Sequence, residues 1–432
     1  MYSLLLLAAL PLALASPREV RQASTTASAP ATTPTAPYAS DDPNDSFYDQ
    51  FNAPGAVPAP QRGSTGGNIL GPDNKPLDMQ NPDVLAPPST DEGDLDNSKW
   101  PFALSHNRLQ KGGWARQQNV HDMPIATALA GVDMRLEAGA IRELHWHTSA
   151  EWSYVIAGSC RISSVDQLGR NYIADIYPGD LWYFPAGIPH YLQGLNDTAD
   201  GCEFLLVFDS GEFSEEDTFL LTDWLAHVPK EVIAKNFQVD ISLFDHIPAQ
   251  ELYIFPSVVP PPLAQTAVDD PNGNVPDAFS YAFSQVPATP LRGGSVKIAD
   301  SRTFKIATNI IVAEVTINPG AMRELHWHPT QPEWTYFLSG ESRLTSFAAS
   351  ATARTFNYQA GDIAYIPPAY GHYIENLGNT TVKYLEIFNT DIYQDISLTQ
   401  WLALTPPEIV QAHLKLPLDV IQAFNTSKGT VV

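Results

Sequence analysis

Arg142-Glu143-Leu144-His145-Trp146-His147 returns unchanged at Arg323–His328. On a β-strand successive side chains alternate, so the two histidines of each copy share a face. A glutamate follows each copy, Glu151 and Glu333, and a third histidine follows later, His190 and His372. Three imidazoles and one carboxylate form a first shell for a divalent metal. His145 and His326 are 181 residues apart, as are His147 and His328. Glu151 and Glu333, His190 and His372, and Gly179-Asp180 and Gly361-Asp362 are 182 apart. A repeat this long is a duplicated domain, because solenoid repeats are far shorter. Six of the eleven histidines fall into the two matched sets, which packing alone would not produce twice. His106, His121, His227, His246 and His413 show no such pattern and are assigned structural or surface roles.

Around these sets, short apolar runs alternate with Gly, Pro, Asn and Asp, the pattern of an all-β sandwich or barrel. The expected architecture is two tandem β-domains, residues 99–250 and 279–415, joined by a Pro-rich linker over 251–278. Each domain ends in a short helical extension, at 220–226 and 398–403, followed by Pro229 and Pro407, which suit a helix start. These extensions are expected to pack the repeats, or separate subunits of a homo-oligomer, together. Residues 416–432 form a C-terminal tail.

Residues 16–98 are rich in Pro, Ser, Thr and Ala, then in Pro and Asp, and read as a flexible arm. The apolar run at 4–14, with a cleavage point after Ala15, reads as a secretory signal peptide over residues 1–15. It is too short to cross a bilayer, which takes about 20 residues. Asn44, Asn196, Asn379 and Asn425 begin glycosylation sequons. Cys160 and Cys202, the only cysteines, are expected to form one disulfide in an oxidising compartment, with two buried thiols as the alternative. A net charge of −24 excludes nucleic acid and anionic membranes as partners. An anionic substrate would need a local arginine or a metal to attract it.

The order Gly139…His145-x-His147…Glu151…Gly158, then Gly179…Pro185…His190, matches the two motifs of the cupin superfamily. Gly320, His326, His328, Glu333, Gly340, Gly361, Pro367 and His372 repeat it. The chain therefore resembles a bicupin, with two double-stranded β-helix (jelly-roll) domains. Two departures are Gly194, where an asparagine often stands, and Ala369, where a glycine does. The repeated hexapeptide, Trp152 and Trp334, Gly179–Pro185 and the run Phe213–Phe219 look more specifically like bicupin oxalate decarboxylases.

That resemblance implies cleavage of oxalate to formate and carbon dioxide, with two Mn(2+) per chain and dioxygen as co-catalyst. The ligand chemistry alone would also admit Fe, Co, Ni, Cu or Zn. By the resemblance, Arg142 polarises metal-bound oxalate, and Glu215 on a lid removes its proton as an electron passes to the metal. Glu215 then returns the proton. Arg323 and Glu386 correspond to the equivalent pair in the second repeat. An oxalate oxidase yielding hydrogen peroxide, and a non-catalytic storage bicupin, are the competing readings. Arg142 has opposite parity to His145, so a regular strand would turn it away from the metal. A bulge or bend after Gly139 is required to bring it to the metal, and a surface ion pair is the alternative for Arg142. The loop corresponding to Ser214–Thr218 differs in the second repeat, which points to turnover at the first site.

Overall fold

The structure is a computed structural model that describes Leu77, residues 80–266 and residues 268–432. The signal peptide, Asn44 and the arm before residue 77 lie outside the described residues. In the first repeat, Leu181–Phe184, Glu151–Ala157, Cys202–Phe208, Ala130–Leu136, Gly113–Gln118 and Asn107–Gln110 lie side by side in one sheet. Facing it, Ile141–Trp146, His190–Gly194, Cys160–Val165 and Asn171–Ile176 form the second sheet. The second repeat has the same two layers, with Met322–Trp327 beside Gly371–Asn376 in its smaller sheet.

Among the described residues, apolar side chains collect in three buried clusters. Two fill the barrels, around Trp182, Phe204 and Leu206 in the first and around Phe337, Ile374 and Tyr384 in the second. The third lies between the repeats and contains Trp152, Tyr183, Trp334 and Tyr365. Two buried polar bonds cross this contact. Trp334 Nε1 donates to Gln118 Oε1 at 2.7 Å, and Tyr154 donates to Glu314 at 3.0 Å. Trp152 and Trp334, each next to a glutamate ligand, therefore bind the repeats to one another.

The repeats also exchange edge strands. Lys99–Pro101, which precedes the first barrel, pairs with Asp362–Ile366 of the second. Ser280–Tyr281, which precedes the second barrel, pairs with Leu181–Phe184 of the first. Residues 82–98 were expected to be flexible, but they pack on the second repeat. Arg343 Nε donates to Asp83 at 3.1 Å, Thr355 bonds Asp91, and Glu92 bridges Ala353. Aspartates that composition assigns to solvent thus serve as strand-edge acceptors. In the Pro-rich linker, Ile254–Phe255 adds a strand beside Ile141–Trp146. In the C-terminal tail, Val431 bridges Arg323 in the equivalent manner.

The expected helical extensions form over Leu221–Ala226 and Leu398–Ala403, and Lys230–Phe237 and Pro407–Leu414 follow at the two prolines. The extensions lie on their own barrels. Trp224 meets Trp146, and Trp401 meets Trp327, each with ring centroids 5.5 Å apart. Cys160 and Cys202 are both buried and carry free thiols rather than the expected disulfide. Burial and the neighbouring Cys202 push the Cys160 thiol well up.

Gly187 and Ala369 occupy the same turn, with φ of 77° and 66°. Their N–H groups bond the carbonyls of His147 and His328 at 2.9 and 2.8 Å. A Cβ in this left-handed conformation costs about 1–2 kcal/mol, offset in part by the larger entropy a glycine loses on folding, roughly 0.4–1 kcal/mol. Ala369→Gly is therefore expected to stabilise the protein by about 0.5–1 kcal/mol. Thermal unfolding checks it, and a lowered Tm would contradict the strain at Ala369.

Candidate metal centres

His145, His147, Glu151 and His190 bring their ligand atoms within 4.8 Å of one another, and so do His326, His328, Glu333 and His372. All eight side chains are buried. His145 and His190 face each other across paired strands, with Glu151 opening the strand of the opposite sheet. His326 and His372 are likewise opposed.

The donor set suits a divalent metal. His145 Nδ1–H donates to the Glu143 carbonyl at 2.6 Å, His147 to Ser149 at 2.6 Å and His190 to Ile188 at 2.8 Å. These bonds place the proton on Nδ1 and leave the Nε2 lone pair free for a metal. Nε2 of His190 and of His326 is buried without a hydrogen-bond partner. Burial opposes a charge on Glu151, but His190 and His147 outweigh it and hold the carboxyl well below the usual range. Burial keeps His145 neutral, its imidazole pushed well down. A neutral His145 and an ionised Glu151 are the protonation states that ligation needs.

The bulge that places Arg142 is present. Between His190 and Leu192 the partner strand advances from His145 to Arg142, so three residues oppose two. The second repeat does the same between His326 and Arg323. The extra residue reverses the parity, and Arg142 lies in the cavity with His145, His147 and Glu151. Its guanidinium stacks 4.1 Å from the Tyr253 ring. Burial lowers its pKa to about 10, partly opposed by Glu215, Glu151 and Glu143.

Glu215 lines the same cavity, on the short helical turn Glu215–Asp217 that Ser214 caps through the Glu216 N–H at 3.3 Å. Its backbone N–H donates to Gln117 at 3.0 Å, while its Oε2 is buried without a partner. The Thr218 Oγ1, also unpartnered, faces the same space. Glu215 borders a second, outer hollow with His106, Arg108 and Glu216, so it separates the inner cavity from that hollow.

The second centre shares the ligands and differs around them. Arg323 is fully buried and ion-paired to Asp395 at 2.7 Å and to Glu386 at 3.4 Å, and it donates to Tyr393 at 2.9 Å. Glu386 is not on a lid. It pairs in register with Thr335, as Leu206 pairs with Ser153 in the first repeat, so it replaces an apolar wall residue of the first cavity. The glutamate ligands have different orienting partners. Trp182 Nε1 donates to Glu151 at 2.8 Å, whereas Thr335 donates to Glu333 at 2.5 Å.

Glu143 escaped the sequence reading, although it lies inside the repeated hexapeptide. Its carboxylate accepts from Thr222 N and Oγ1, Leu252 N and Tyr253 N at 2.6–2.9 Å, fastening three segments behind the metal ligands. Glu324 does the same for Ser397 and Thr430. Their identity in both copies was the available signal.

A Cupin family model matches residues 103–243 and 280–421. "Oxalate decarboxylase OxdC" of Bacillus subtilis is 52% identical over 376 residues, covering 87% of this chain and 97% of that protein. The chain belongs to the bicupin oxalate decarboxylase family. A second family member, "Oxalate decarboxylase" of Arthroderma benhamiae, is 38% identical to this bicupin over 409 residues, or 88% of this chain and 95% of the other. The solved B. subtilis enzyme, from a study of its Mn(II) centres, superposes with a TM-score of 0.83 over 87% of this bicupin and 99% of that chain.

Proposed function

We propose that this bicupin is a manganese-dependent oxalate decarboxylase whose turnover takes place at the first centre. The observation that carries the reading is the shared cavity of Arg142 and Glu215 beside His145, His147 and Glu151. Among the described residues, neither Arg142 nor Glu215 has an ion-pair partner, and one carboxylate oxygen of Glu215 is unpartnered. The relatives named as oxalate decarboxylases and the Mn(II) centres of the B. subtilis enzyme support the substrate and the metal. Two centres per chain follow from the two ligand sets.

Manganese, when bound, supplies a Lewis-acidic charge with open positions and a one-electron redox partner. Arg142 pairs with a substrate carboxylate and stabilises charge that develops on it, its plane fixed by the Tyr253 ring. Glu215 takes the proton of hydrogen oxalate and holds it, since burial raises its carboxyl above the ordinary range while Arg142 opposes the rise. The C–C bond breaks and carbon dioxide leaves. Glu215 then delivers its proton to the carbon of the remaining one-carbon fragment, giving formate. Substrate proton and product proton balance, so the reaction is redox-neutral overall. The turn carrying Glu215 closes the cavity and excludes water.

Purified, manganese-loaded protein is expected to convert oxalate to equal amounts of formate and carbon dioxide. Stoichiometric hydrogen peroxide without formate would transfer the assignment to an oxidase. The productive complex carries one proton shared by Glu215 and oxalate. That proton is lost as pH rises through the raised Glu215 value, so kcat is expected to fall as pH rises from mildly acid values, through a midpoint above the ordinary carboxylate range. A rate that climbs over this interval would remove Glu215 as the proton carrier.

Secretion is part of the proposal. It rests on the apolar leader and on Asn196, Asn379 and Asn425, which are all exposed. Enzymatic deglycosylation of protein from a secreting host is expected to lower its mass, and an unchanged mass would count against it. Among the described residues, no helix is long and apolar enough to cross a membrane. Trp224 and Trp401, 58% and 54% exposed on the helical extensions, offer a surface for a second copy of the chain. Light scattering showing only monomer would oppose that.

A further inference from the structure

Among the described residues, two carboxylates, Asp395 and Glu386, meet Arg323 and none meets Arg142, and the nearer of the two, Asp395, stands where the first centre has a hydroxyl. Phe219 pairs with Trp146 and Ile396 pairs with Trp327 on the metal-bearing strands. The residues just before them, Thr218 and Asp395, therefore hold the same place in the fold. Thr218 leaves its hydroxyl unpartnered in the first cavity, and Arg142 has no carboxylate within ion-pair distance among the described residues. Asp395 instead reaches Arg323 Nη2 with Oδ2 at 2.7 Å. The side chains of Arg323 and Asp395 are 0% and 2% exposed.

A latch holds the aspartate there. Lys428, from the C-terminal tail, pairs with the other oxygen of Asp395 and donates to its carbonyl at 2.8 Å. Two residues on, the Thr430 carbonyl accepts from Arg323 Nη1 at 3.4 Å. Tyr253 makes the corresponding contact with Arg142 at 3.5 Å in the first repeat, and both residues have φ of 55°. The straps over the two arginines are alike, but the residue two positions earlier is Lys428 in one and Glu251 in the other. Outside the latch, Tyr393, Asp395, Lys428 and Thr430 line a hollow with Val296 and Ile298.

We propose that Asp395 is an internal substitute for the substrate carboxylate, closing the second centre to dicarboxylates while its metal ligands stay intact. The inference rests on the oxalate reading above. An arginine already neutralised by a buried carboxylate has little charge left for a second anion, and a ligand must displace Asp395 to reach it. The hollow outside gives the displaced side chain somewhere to go.

Oxalate binding to manganese-loaded full-length protein tests this by equilibrium dialysis, in a Glu215→Gln background so that the ligand is not consumed. The background chain is expected to bind one oxalate. Asp395→Thr, which copies the first centre, is expected to bind two, with manganese unchanged at two per chain. Asp395→Asn keeps the shape and removes the charge, and it is expected to bind a second, weaker oxalate. It decides the matter should the threonine variant not fold. One oxalate in every folded variant, or two already in the background chain, would overturn the closure by Asp395. No oxalate in the background chain would instead overturn the functional assignment beneath it.

Discussion

Glu215→Gln is expected to stop formate production while both centres keep their manganese. Glutamine has the size of glutamate and can keep the backbone bond to Gln117, so the turn Glu215–Asp217 should persist. What is lost is the ability to accept a proton from oxalate and return it to carbon. A positioned acid–base group is worth about 10²–10⁴-fold in rate. Here one group serves in both directions, so a loss near the upper figure is expected. Glu215 is outside the ligand set His145, His147, Glu151 and His190, so metal analysis should give an unchanged content. Wild-type formate production would remove Glu215 from the reaction. Peroxide appearing in place of formate would show that only the proton return had been lost.

The same substitution at the two equivalent arginines should have opposite consequences. Arg142→Ala removes a cation that no carboxylate neutralises, and kcat/KM is expected to fall about 10²–10³-fold, the scale of losing one aimed electrostatic stabiliser. Its folding cost should be small, because the partners left behind are an aromatic face and one carbonyl. Arg323→Ala strands Glu386 as a buried acid and leaves Asp395 with Lys428 as its remaining ion-pair partner. Removing one member of a buried ion pair costs about 3–5 kcal/mol, so this variant should unfold at much lower temperature while its folded fraction still makes formate. Thermal melts and initial rates on both proteins check the contrast. Equal activity losses at matched stability would show that both centres turn over.

The metal ligands were legible because metal coordination constrains residue type and spacing together, and the duplication supplied a second copy. The parity conflict at Arg142 was legible as well, since strand alternation is strict enough to require a bulge or bend if the side chain is to reach the metal. The place of Glu215 followed from the resemblance of its loop. Asp395 was not legible as a partner of Arg323. It stands 72 residues away in sequence in a loop that reads as ordinary polar surface, and nothing local indicates which acid will meet a buried arginine. Glu143 was hidden for a related reason. Its four bonds go to backbone and hydroxyl groups of later segments, which carry no sequence signature. The aspartates before residue 99 misled because composition assigns acidic, Pro-rich chain to solvent, whereas Asp83 and Asp91 meet partners in the second repeat.

The crossed edge strands bear on how this duplicated chain can be divided. A cut between the repeats would take Ser280–Tyr281 from the first barrel and Lys99–Pro101 from the second. Each fragment would then present a bare sheet edge of the kind that recruits foreign strands, together with half of the aromatic layer around Trp152 and Trp334. Neither half is a portable module. Gene fragments encoding a single repeat should yield insoluble protein.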